Sequence, residues 1–142
     1  MLKKISIDDP LLKEIAAIHE NIPQTYKEWS AEELDYILRF ESLRLLLQQG
    51  NDHILSLQAD HQLIAFIWYS LTDHTYIKSL WVRPTYRGKG YAARLKNKVK
   101  EISINSGMPY IAGKVHSDNQ NMIALNHKLG YNWDGEKMIL KL

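Results

Sequence analysis

A chain of 142 residues with 45% hydrophobic and 24% charged residues is typical of one ordinary globular domain. The formal net charge of +2 is too small to argue by itself for binding to nucleic acid or to an anionic membrane. The chain contains no cysteine, which excludes a disulfide scaffold, a thiolate nucleophile and a zinc site with cysteine ligands.

The apolar segments of the sequence indicate the compartment in which the protein is expected. Residues 1–5 have neither the long apolar stretch nor the small-residue cleavage site of a signal peptide. The longest apolar run, residues 63–71, is interrupted by Ser70 and is too short to span a bilayer. We therefore expect a single cytoplasmic domain over residues 1–142, with neither a membrane nor nucleic acid as partner.

The first segment predicts a strand followed by a helix. Residues 2–7 are predicted as a short strand. Asp8 or Asp9 followed by Pro10 predicts a helix start, because a carboxylate caps free N–H groups and proline fits the first turn. This helix is predicted to end at Pro23.

A second helix is predicted from Ser30, where Glu33 completes a capping box, to the residue before Gly50. The phase of the apolar positions slips near Glu41, which suggests a bend over residues 39–44. The apolar face of this helix is predicted to carry Leu34, Ile37, Leu38 and Leu45.

From residue 53 the period of the sequence changes from helical to extended. Residues 53–59, 63–71 and 76–82 are rich in aromatic and branched side chains, and the turns at residues 60–62 and 72–75 separate them. This pattern predicts an antiparallel meander of three strands.

Five further elements complete the chain. The first is a helix that stops at Gly107 and carries Ala92, Leu95, Val99 and Ile102 on one face. A strand over residues 110–116 and a helix from Asn119 to Leu129, which closes at Gly130, are predicted next. The last two are the strands of a hairpin, residues 131–133 and 137–142, around Asp134-Gly135. The alternation of strands and helices predicts a mixed α/β domain.

A tight basic glycine loop joins the third meander strand to the next helix. Residues 87–92 read Arg-Gly-Lys-Gly-Tyr-Ala. A strand-to-helix junction directs unpaired N–H groups and the positive helix end to one point, where basic side chains add charge. The spacing lacks the third glycine of a dinucleotide fingerprint and the Ser or Thr of a P-loop. We therefore predict a pyrophosphate at this loop rather than a purely steric glycine turn.

Two sequence blocks resemble one family. Residues 87–92 resemble the Arg/Gln-x-x-Gly-x-Gly/Ala signature of the GNAT superfamily of N-acetyltransferases. Residues 119–131, which read Asn-Gln-Asn-Met-Ile-Ala-Leu-Asn-His-Lys-Leu-Gly-Tyr, resemble that family's asparagine–helix–Leu-Gly-aromatic segment. The blocks lie at the family's usual separation. The resemblance implies a three-layer α+β fold in which a central, mostly antiparallel, splayed sheet is flanked by helices.

The resemblance also implies acetyl-coenzyme A as co-substrate and direct transfer of its acetyl group, in a ternary complex, to the primary amine of a small molecule or peptide. The loop amides would hold the pyrophosphate, the strand before the loop would pair with the pantetheine amides, and one strand N–H would polarise the thioester. Edge strands could pair two copies into a homodimer. The implied cofactor-binding residues are Leu80, Trp81, Val82, Arg87, Gly88, Lys89, Gly90, Tyr91, Ala92, Asn119 and Asn126.

One position departs from the family pattern. Many members carry a tyrosine where this chain has Asn126. In those members the tyrosine hydroxyl protonates the departing thiolate. An amide can donate a hydrogen bond to sulfur but does not supply a proton. Asn126 is therefore expected beside the thiol without acting as its acid.

The general base is also open. No Asp or Glu occurs between Asp73 and Glu101, although family members often place a carboxylate on that strand. His116 is the first candidate base and His74 the second. A water-mediated base, or a substrate that is already deprotonated, remains an alternative. The histidines and acids show no metal-ligand spacing, so no metal is expected.

Two other functional classes compete with an enzyme. A non-catalytic acyl-coenzyme A sensor would account for Asn126 and for the missing strand carboxylate. A small nucleic-acid-binding domain would use the basic helix instead. The basic positions of that helix, which we interpret as a solvated face, are Arg94, Lys96, Lys98 and Lys100.

Overall fold

One mixed sheet with helices on both faces organises the protein. The structure is a computed structural model that describes residues 2–22 and 31–142. In chain order its elements are β1 (Leu2–Lys4), α1 (Leu12–Asn21), α2 (Glu33–Gln49), β2 (Asp52–Ala59), β3 (Gln62–Leu71), β4 (Thr75–Val82), α3 (Tyr91–Asn105), β5 (Tyr110–Lys114), α4 (Gln120–Lys128), β6 (Asn132–Asp134) and β7 (Lys137–Lys141).

The sheet has seven strands in the order β1-β2-β3-β4-β5-β7-β6. Every neighbouring pair is antiparallel except β4 with β5. The predicted meander is β2-β3-β4, and the predicted C-terminal hairpin is β6-β7. The mixed α/β class with a mostly antiparallel sheet is confirmed.

Alternation along the central strand β3 divides the core in two. Phe66 and Trp68 pack with α1 and α2 on one face, together with Leu12 and Leu43. Ile67 and its neighbours pack on the opposite face with α3 and the C-terminal strands. The sheet is therefore the middle layer of three.

The N-terminal elements are shorter than the sequence predicts. Strand β1 ends at Lys4, although the amide of Ile5 still donates to the carbonyl of Ile54 at 2.9 Å. Helix α1 begins at Leu12 because Asp9 accepts a hydrogen bond from the Leu11 amide at 2.9 Å and so caps the turn before the helix. The predicted helix end at Pro23 lies outside the described residues.

Helix α2 is capped and oriented differently from the prediction. Glu32 and Asp35 form the observed capping box, whereas Ser30 lies outside the described residues. The helix runs without interruption through residues 39–44, where a bend was expected. The apolar face predicted from Leu34, Ile37, Leu38 and Leu45 is wrong, since these side chains are 51–63% exposed.

A second apolar stripe on α2 explains this difference. Leu43 is fully buried, and Phe40, Leu46 and Leu47 pack around it against the α1 side of the sheet. The helix thus carries apolar residues in two helical phases, so that periodicity alone could not choose between them. Among the described residues, no helix combines the length and the apolar content needed to cross a bilayer.

One buried carboxylate connects the three meander strands. Asp52 on β2 accepts hydrogen bonds from Trp68 Nε1 on β3 at 2.6 Å and from Lys78 Nζ on β4 at 2.7 Å. The Lys78 ammonium also lies 5.2 Å from the centroid of the Trp68 ring. Asp52 is 5% exposed, so that losing either partner would leave a buried polar group.

We expect Asp52→Ala to lower the free energy of unfolding by about 3 kcal/mol, because it leaves the Lys78 ammonium and the indole N–H without their acceptor. Denaturant unfolding measures the loss. The control is Glu41→Ala, which removes an exposed carboxylate 3.6 Å from Arg44 and should cost less than about 0.5 kcal/mol. Equal losses in the two variants would show that Asp52 does not hold the strands together.

Candidate active site

The site begins where β4 parts from β5. The two strands pair over three positions only, the last being Ile77 with Gly113. On the other side of β4 the register slips, so that Trp68 faces Ser79 and Tyr69 faces Ile77, which leaves Lys78 as an extra residue. Such a bulge bends and twists a strand. Alternate backbone groups of β4 beyond Lys78 therefore face a gap instead of β5.

Two adjoining cavities occupy this gap. The first, of about 410 Å³, passes between β4 and β5 from α1 and α2 on one face to α3 and α4 on the other. The second, of about 510 Å³, lies between the end of β4, the glycine loop and α4. Ile22, Leu80, Asn119 and Met122 line both cavities, which therefore form one continuous cleft.

The glycine loop supplies the outer wall of the second cavity. Gly88 and Gly90 have φ angles of 76° and 85°, which favour residues without a side chain. Gly90 is the N-cap of α3, and no side chain caps this helix end. The first N–H groups of α3 are therefore open to an anionic ligand in the cavity.

The basic residues of this region have different positions. Arg87 Nε donates to the carbonyl of Val82 at 2.9 Å, and Lys89 Nζ lies 5.5 Å from the centroid of the Tyr86 ring. Arg83 points elsewhere, donating to Leu63 O at 2.8 Å and pairing with a carboxylate of α1. Arg87 and Lys89 are thus the two cations of the loop.

Most of the predicted cofactor residues meet in this cleft. Asn126 lines the first cavity rather than the second, and Lys89 lies in the loop but lines neither. The predicted residues that line the second cavity are Leu80, Trp81, Val82, Arg87, Gly88, Gly90, Tyr91, Ala92 and Asn119.

Helix α4 contributes two asparagines. Asn119 is its N-cap and accepts a hydrogen bond from the Met122 amide at 3.3 Å, which fixes the start of the helix at the junction of the cavities. Asn126 is 2% exposed, and its Nδ2 donates to Met138 Sδ at 3.4 Å. Its Oδ1 has no hydrogen-bond partner among the described residues.

Lys96 corrects the prediction of a solvated basic helix face. Arg94 and Lys100 are exposed as expected, but Lys96 is only 5% exposed and lines the first cavity. Its Nζ lies 4.3 Å from the centroid of the Tyr131 ring. Burial lowers the pKa of Lys96 from 10.5 to about 7. The sequence contains a signal for this burial, because Lys96 lies on the same helix face as the buried Val99.

Further buried polar groups surround the inner end of the first cavity. Ser79 Oγ and Tyr131 Oη, like Asn126 Oδ1, are buried and have no hydrogen-bond partner among the described residues. Burial raises the pKa of the Tyr131 phenol, which stays neutral. An unpaired buried polar group costs about 1–3 kcal/mol. Three residues that line the first cavity thus carry shielded polar atoms whose hydrogen-bonding capacity no described residue uses.

The mouth on the other face is formed by α1 and α2. Arg39 Nε pairs with Glu20 Oε2 at 2.7 Å, and both residues line the first cavity. Burial, assisted by the Arg39 charge, lowers the pKa of the His19 imidazole to about 4, so that it is neutral at pH 7. Sequence reasoning missed these three residues because nothing in their spacing links α1 and α2 to the strands.

The two candidate bases are separated. His116 lines the first cavity, and its Nδ1 accepts a hydrogen bond from the Asp118 amide at 3.1 Å. His74 stacks on Tyr110 at 4.7 Å and pairs with Asp73 near the opposite end of β4. His74 lines neither cavity. No cluster of three or more metal-ligating side chains occurs within residues 2–22 and 31–142.

The chain belongs to the Acetyltransferase (GNAT) family, whose pattern matches residues 15–131. No curated protein sequence matches it significantly. A structure from Staphylococcus aureus subsp. aureus, described as a GNAT family acetyltransferase, is 29% identical with a TM-score of 0.71, over 78% of this chain and 96% of that one.

Two other solved structures share the fold over the whole of this chain. The PaiA N-acetyltransferase of Thermoplasma acidophilum, in complex with coenzyme A, is 22% identical to this chain, with a TM-score of 0.77. The matched region covers 98% of that protein. The ribosomal-protein-alanine N-acetyltransferase of Brucella melitensis is 16% identical with a TM-score of 0.78 and is covered over 99%. These likenesses confirm the predicted fold.

Lys96 gives the stability of the protein a distinctive pH dependence. At pH 6 the folded and unfolded states both hold the proton, so the full cost of burying the ammonium is present. Between about pH 7 and 10 the unfolded state holds more protons, and wild-type stability rises with pH. We expect Lys96→Met to be more stable than wild type at pH 6 by more than about 2 kcal/mol, a difference that shrinks toward pH 9.

Denaturant unfolding at both pH values measures this difference. Lys100→Met on the exposed face of α3 is the matched control and should follow wild type at both. A constant difference between Lys96→Met and wild type would show that the buried amine keeps its ordinary pKa.

Proposed function

We propose that this protein is an N-acetyltransferase that transfers the acetyl group of acetyl-coenzyme A to a primary amine. The observation that carries the proposal is the continuous cleft at the parting of β4 and β5, with the start of α3, which no side chain caps, at one end. Membership of the GNAT family supports acyl transfer. Similar folds hold coenzyme A or acetyl-coenzyme A in their crystals.

The glycine loop would bind the pyrophosphate. The amides of residues 87–92 and the positive end of α3 supply hydrogen bonds and partial charge, and Arg87 and Lys89 add two cations. Both glycines have positive φ angles that keep the loop backbone close to the ligand. This end of the cleft is therefore suited to the most strongly charged part of the cofactor.

The pantetheine arm would lie along β4. Backbone groups of Leu80, Trp81 and Val82 that are not paired with β5 would bond the arm as an added strand. Asn119 would hold the arm from the α4 side, where it lines both cavities. The thioester then reaches the first cavity, and a β4 N–H group would stabilise the oxyanion.

The acceptor amine would enter from the α1–α2 mouth. Its nitrogen attacks the thioester carbon directly, because the chain has no cysteine to carry the acetyl group, and proximity in the ternary complex supplies much of the rate. Asn126 would donate a hydrogen bond to the sulfur.

His116 is the proposed base. With Nδ1 accepting the Asp118 amide, a neutral ring carries its proton on Nε2. His116 would therefore receive the amine proton on Nδ1 after that contact opens, or through water. The acceptor is a small-molecule or peptide amine. The single domain over residues 1–142, the cytoplasmic location and the edge-strand homodimer stay predictions.

A second candidate function is a non-catalytic acyl-coenzyme A sensor. The amide at position 126 and the lack of a carboxylate on β4 favour it, since both remove groups that move protons. A sensor would bind acetyl-coenzyme A tightly without releasing coenzyme A in the presence of any amine.

Gly90→Glu tests the loop. We expect the affinity for acetyl-coenzyme A to fall at least 100-fold, because a carboxylate would face the pyrophosphate at a strained position. Calorimetry measures the dissociation constant. Gly50→Glu is the matched control, because Gly50 has a φ of 90° and open space around it but caps α2 away from the cleft. Equal affinity in Gly90→Glu and wild type would refute the assignment of the loop.

Turnover is tested by coenzyme A release against a panel of amino-acid derivatives, polyamines, aminoglycosides and peptides. We expect one class to stimulate release, and His116→Gln to lower kcat by about 10- to 100-fold with unchanged cofactor affinity. His74→Gln, outside the cleft, should leave kcat unchanged. Tight binding without stimulated release by any amine would favour the sensor.

A further inference from the structure

The inner end of the first cavity concentrates polar groups that the proposed chemistry does not yet use. Lys96, Asn126, Ser79 and Tyr131 all line this cavity, and Lys96 Nζ lies 4.3 Å from the centroid of the Tyr131 ring. All four residues are more than nine-tenths buried. The three oxygen atoms Asn126 Oδ1, Ser79 Oγ and Tyr131 Oη are shielded from solvent and have no hydrogen-bond partner among the described residues, so the wall of the cavity beside Lys96 is polar.

Lys96 differs from the lysine and arginine side chains of the first cavity in having no counter-ion among the described residues. Arg39 pairs with Glu20 at 2.7 Å, Lys78 pairs with Asp52 at 2.7 Å, and Lys114 lies 3.8 Å from an exposed carboxylate at the surface. Over residues 2–22 and 31–142, no carboxylate lies within ion-pair distance of Lys96, whose recorded partner is the Tyr131 ring. A buried cation without a counter-ion is costly unless a ligand or the reaction supplies negative charge.

Lys96 lines the cavity that the sulfur is expected to reach. Lys96 lies six residues after Gly90, or about 9 Å along the helix axis from the end that would hold the pyrophosphate. The pantetheine arm would run away from the same loop along β4. Asn126, the residue expected beside the thiol, lines the same cavity as Lys96 and Tyr131, and the Tyr131 amide donates to the Asn126 carbonyl at 2.8 Å.

We propose, on the basis of the acetyl transfer proposed above, that Lys96 donates a proton to the sulfur of the departing coenzyme A. The amine nitrogen forms a bond to the thioester carbon, the C–S bond breaks, and its electron pair goes to sulfur. The Lys96 ammonium transfers one proton to that sulfur, giving coenzyme A as the free thiol. The acceptor ammonium loses two protons in all: one goes to His116 before the attack, and the attacking nitrogen gives the second to cavity water as the amide forms. The neutral Lys96 amine regains its proton from that water.

The acidity of the neighbouring groups favours Lys96 as the donor. An amide such as Asn126 does not release a proton, and burial raises the pKa of Tyr131 far above that of a thiol, which is about 8.5. Burial lowers the pKa of Lys96 to about 7, so its ammonium is a stronger acid than the thiol that it would protonate.

Other ionisable groups also face the first cavity. They come from α1, α2, β4, β5 and the segments that follow β5 and α4. These residues are His19, Glu20, Arg39, Lys78, Lys114, His116 and Tyr131.

The first experiment observes Lys96 directly and needs no acceptor. Nuclear magnetic resonance of labelled lysine side chains, with Lys96→Met for assignment, follows the titration of Lys96 with coenzyme A or with desulfo-coenzyme A bound. We expect Lys96 to titrate at a lower pH with coenzyme A than with desulfo-coenzyme A, because a thiol that keeps its proton donates it in a hydrogen bond to the neutral Lys96 amine and so favours the neutral form. Identical titrations in the two complexes would overturn the proposal. Failure of coenzyme A to bind would instead refute the proposed function.

The second experiment separates proton donation from charge and from packing. For Lys96→Met, we expect kcat for coenzyme A release to fall about 100-fold while the dissociation constant of acetyl-coenzyme A changes less than about threefold. Lys96→Arg keeps the charge but cannot release a proton, and it should be as slow as Lys96→Met. Lys100→Met is the control and should keep wild-type kcat.

Three outcomes would contradict proton donation. Full activity in Lys96→Arg would reduce the role to charge, and wild-type kcat in Lys96→Met would remove it. An acetyl group found on Lys96 by mass spectrometry during turnover would make Lys96 a nucleophile rather than a donor.

Discussion

The bulge at Lys78 is the constraint on which the rest of the site depends. If β4 continued in register with β5 beyond Ile77, its backbone groups would be paired and the cleft would close. The extra residue turns the strand away while the Lys78 ammonium stays bonded to Asp52 on β2. The opening is thus a property of the sheet, and the loop and α4 extend it. Strand pairing is lost there, and the freed groups become available to a ligand.

The sequence predicted the sheet and the glycine loop well, because these elements depend on local rules. The meander follows from period-two patterning and the turn residues, and the loop follows from glycines before an amphipathic helix. The buried face of α2 was wrong because Leu34 and Leu43 belong to two competing apolar stripes. Lys96 was predicted to be solvated because it is charged, although its position on the helix places it on the same face as Val99. Neither the buried face of α2 nor the burial of Lys96 on α3 is determined by the local sequence, since both depend on which other element packs against the helix.

The two halves of the cleft have different physical characters. The loop half relies on backbone N–H groups and a helix end, which bind phosphate whatever the surrounding side chains are. The strand half relies on individual side chains from several helices, strands and connecting segments, which include His19, Arg39, Lys96 and His116. A family can therefore keep the donor half through backbone geometry while the acceptor half diverges. The two sequence blocks that resemble the family signatures lie at the loop and on α4.

The bond between Lys78 and Asp52 has a consequence for how ligands are bound. Because Lys78 is bonded to Asp52 on β2 at 2.7 Å, contacts within the protein itself hold the bulged part of β4 and the crevice beside it in place. A preformed crevice does not spend binding energy on opening, and it does not reduce affinity through a sparsely populated competent state. Association would then be limited by diffusion and orientation of the cofactor rather than by a rearrangement of the sheet.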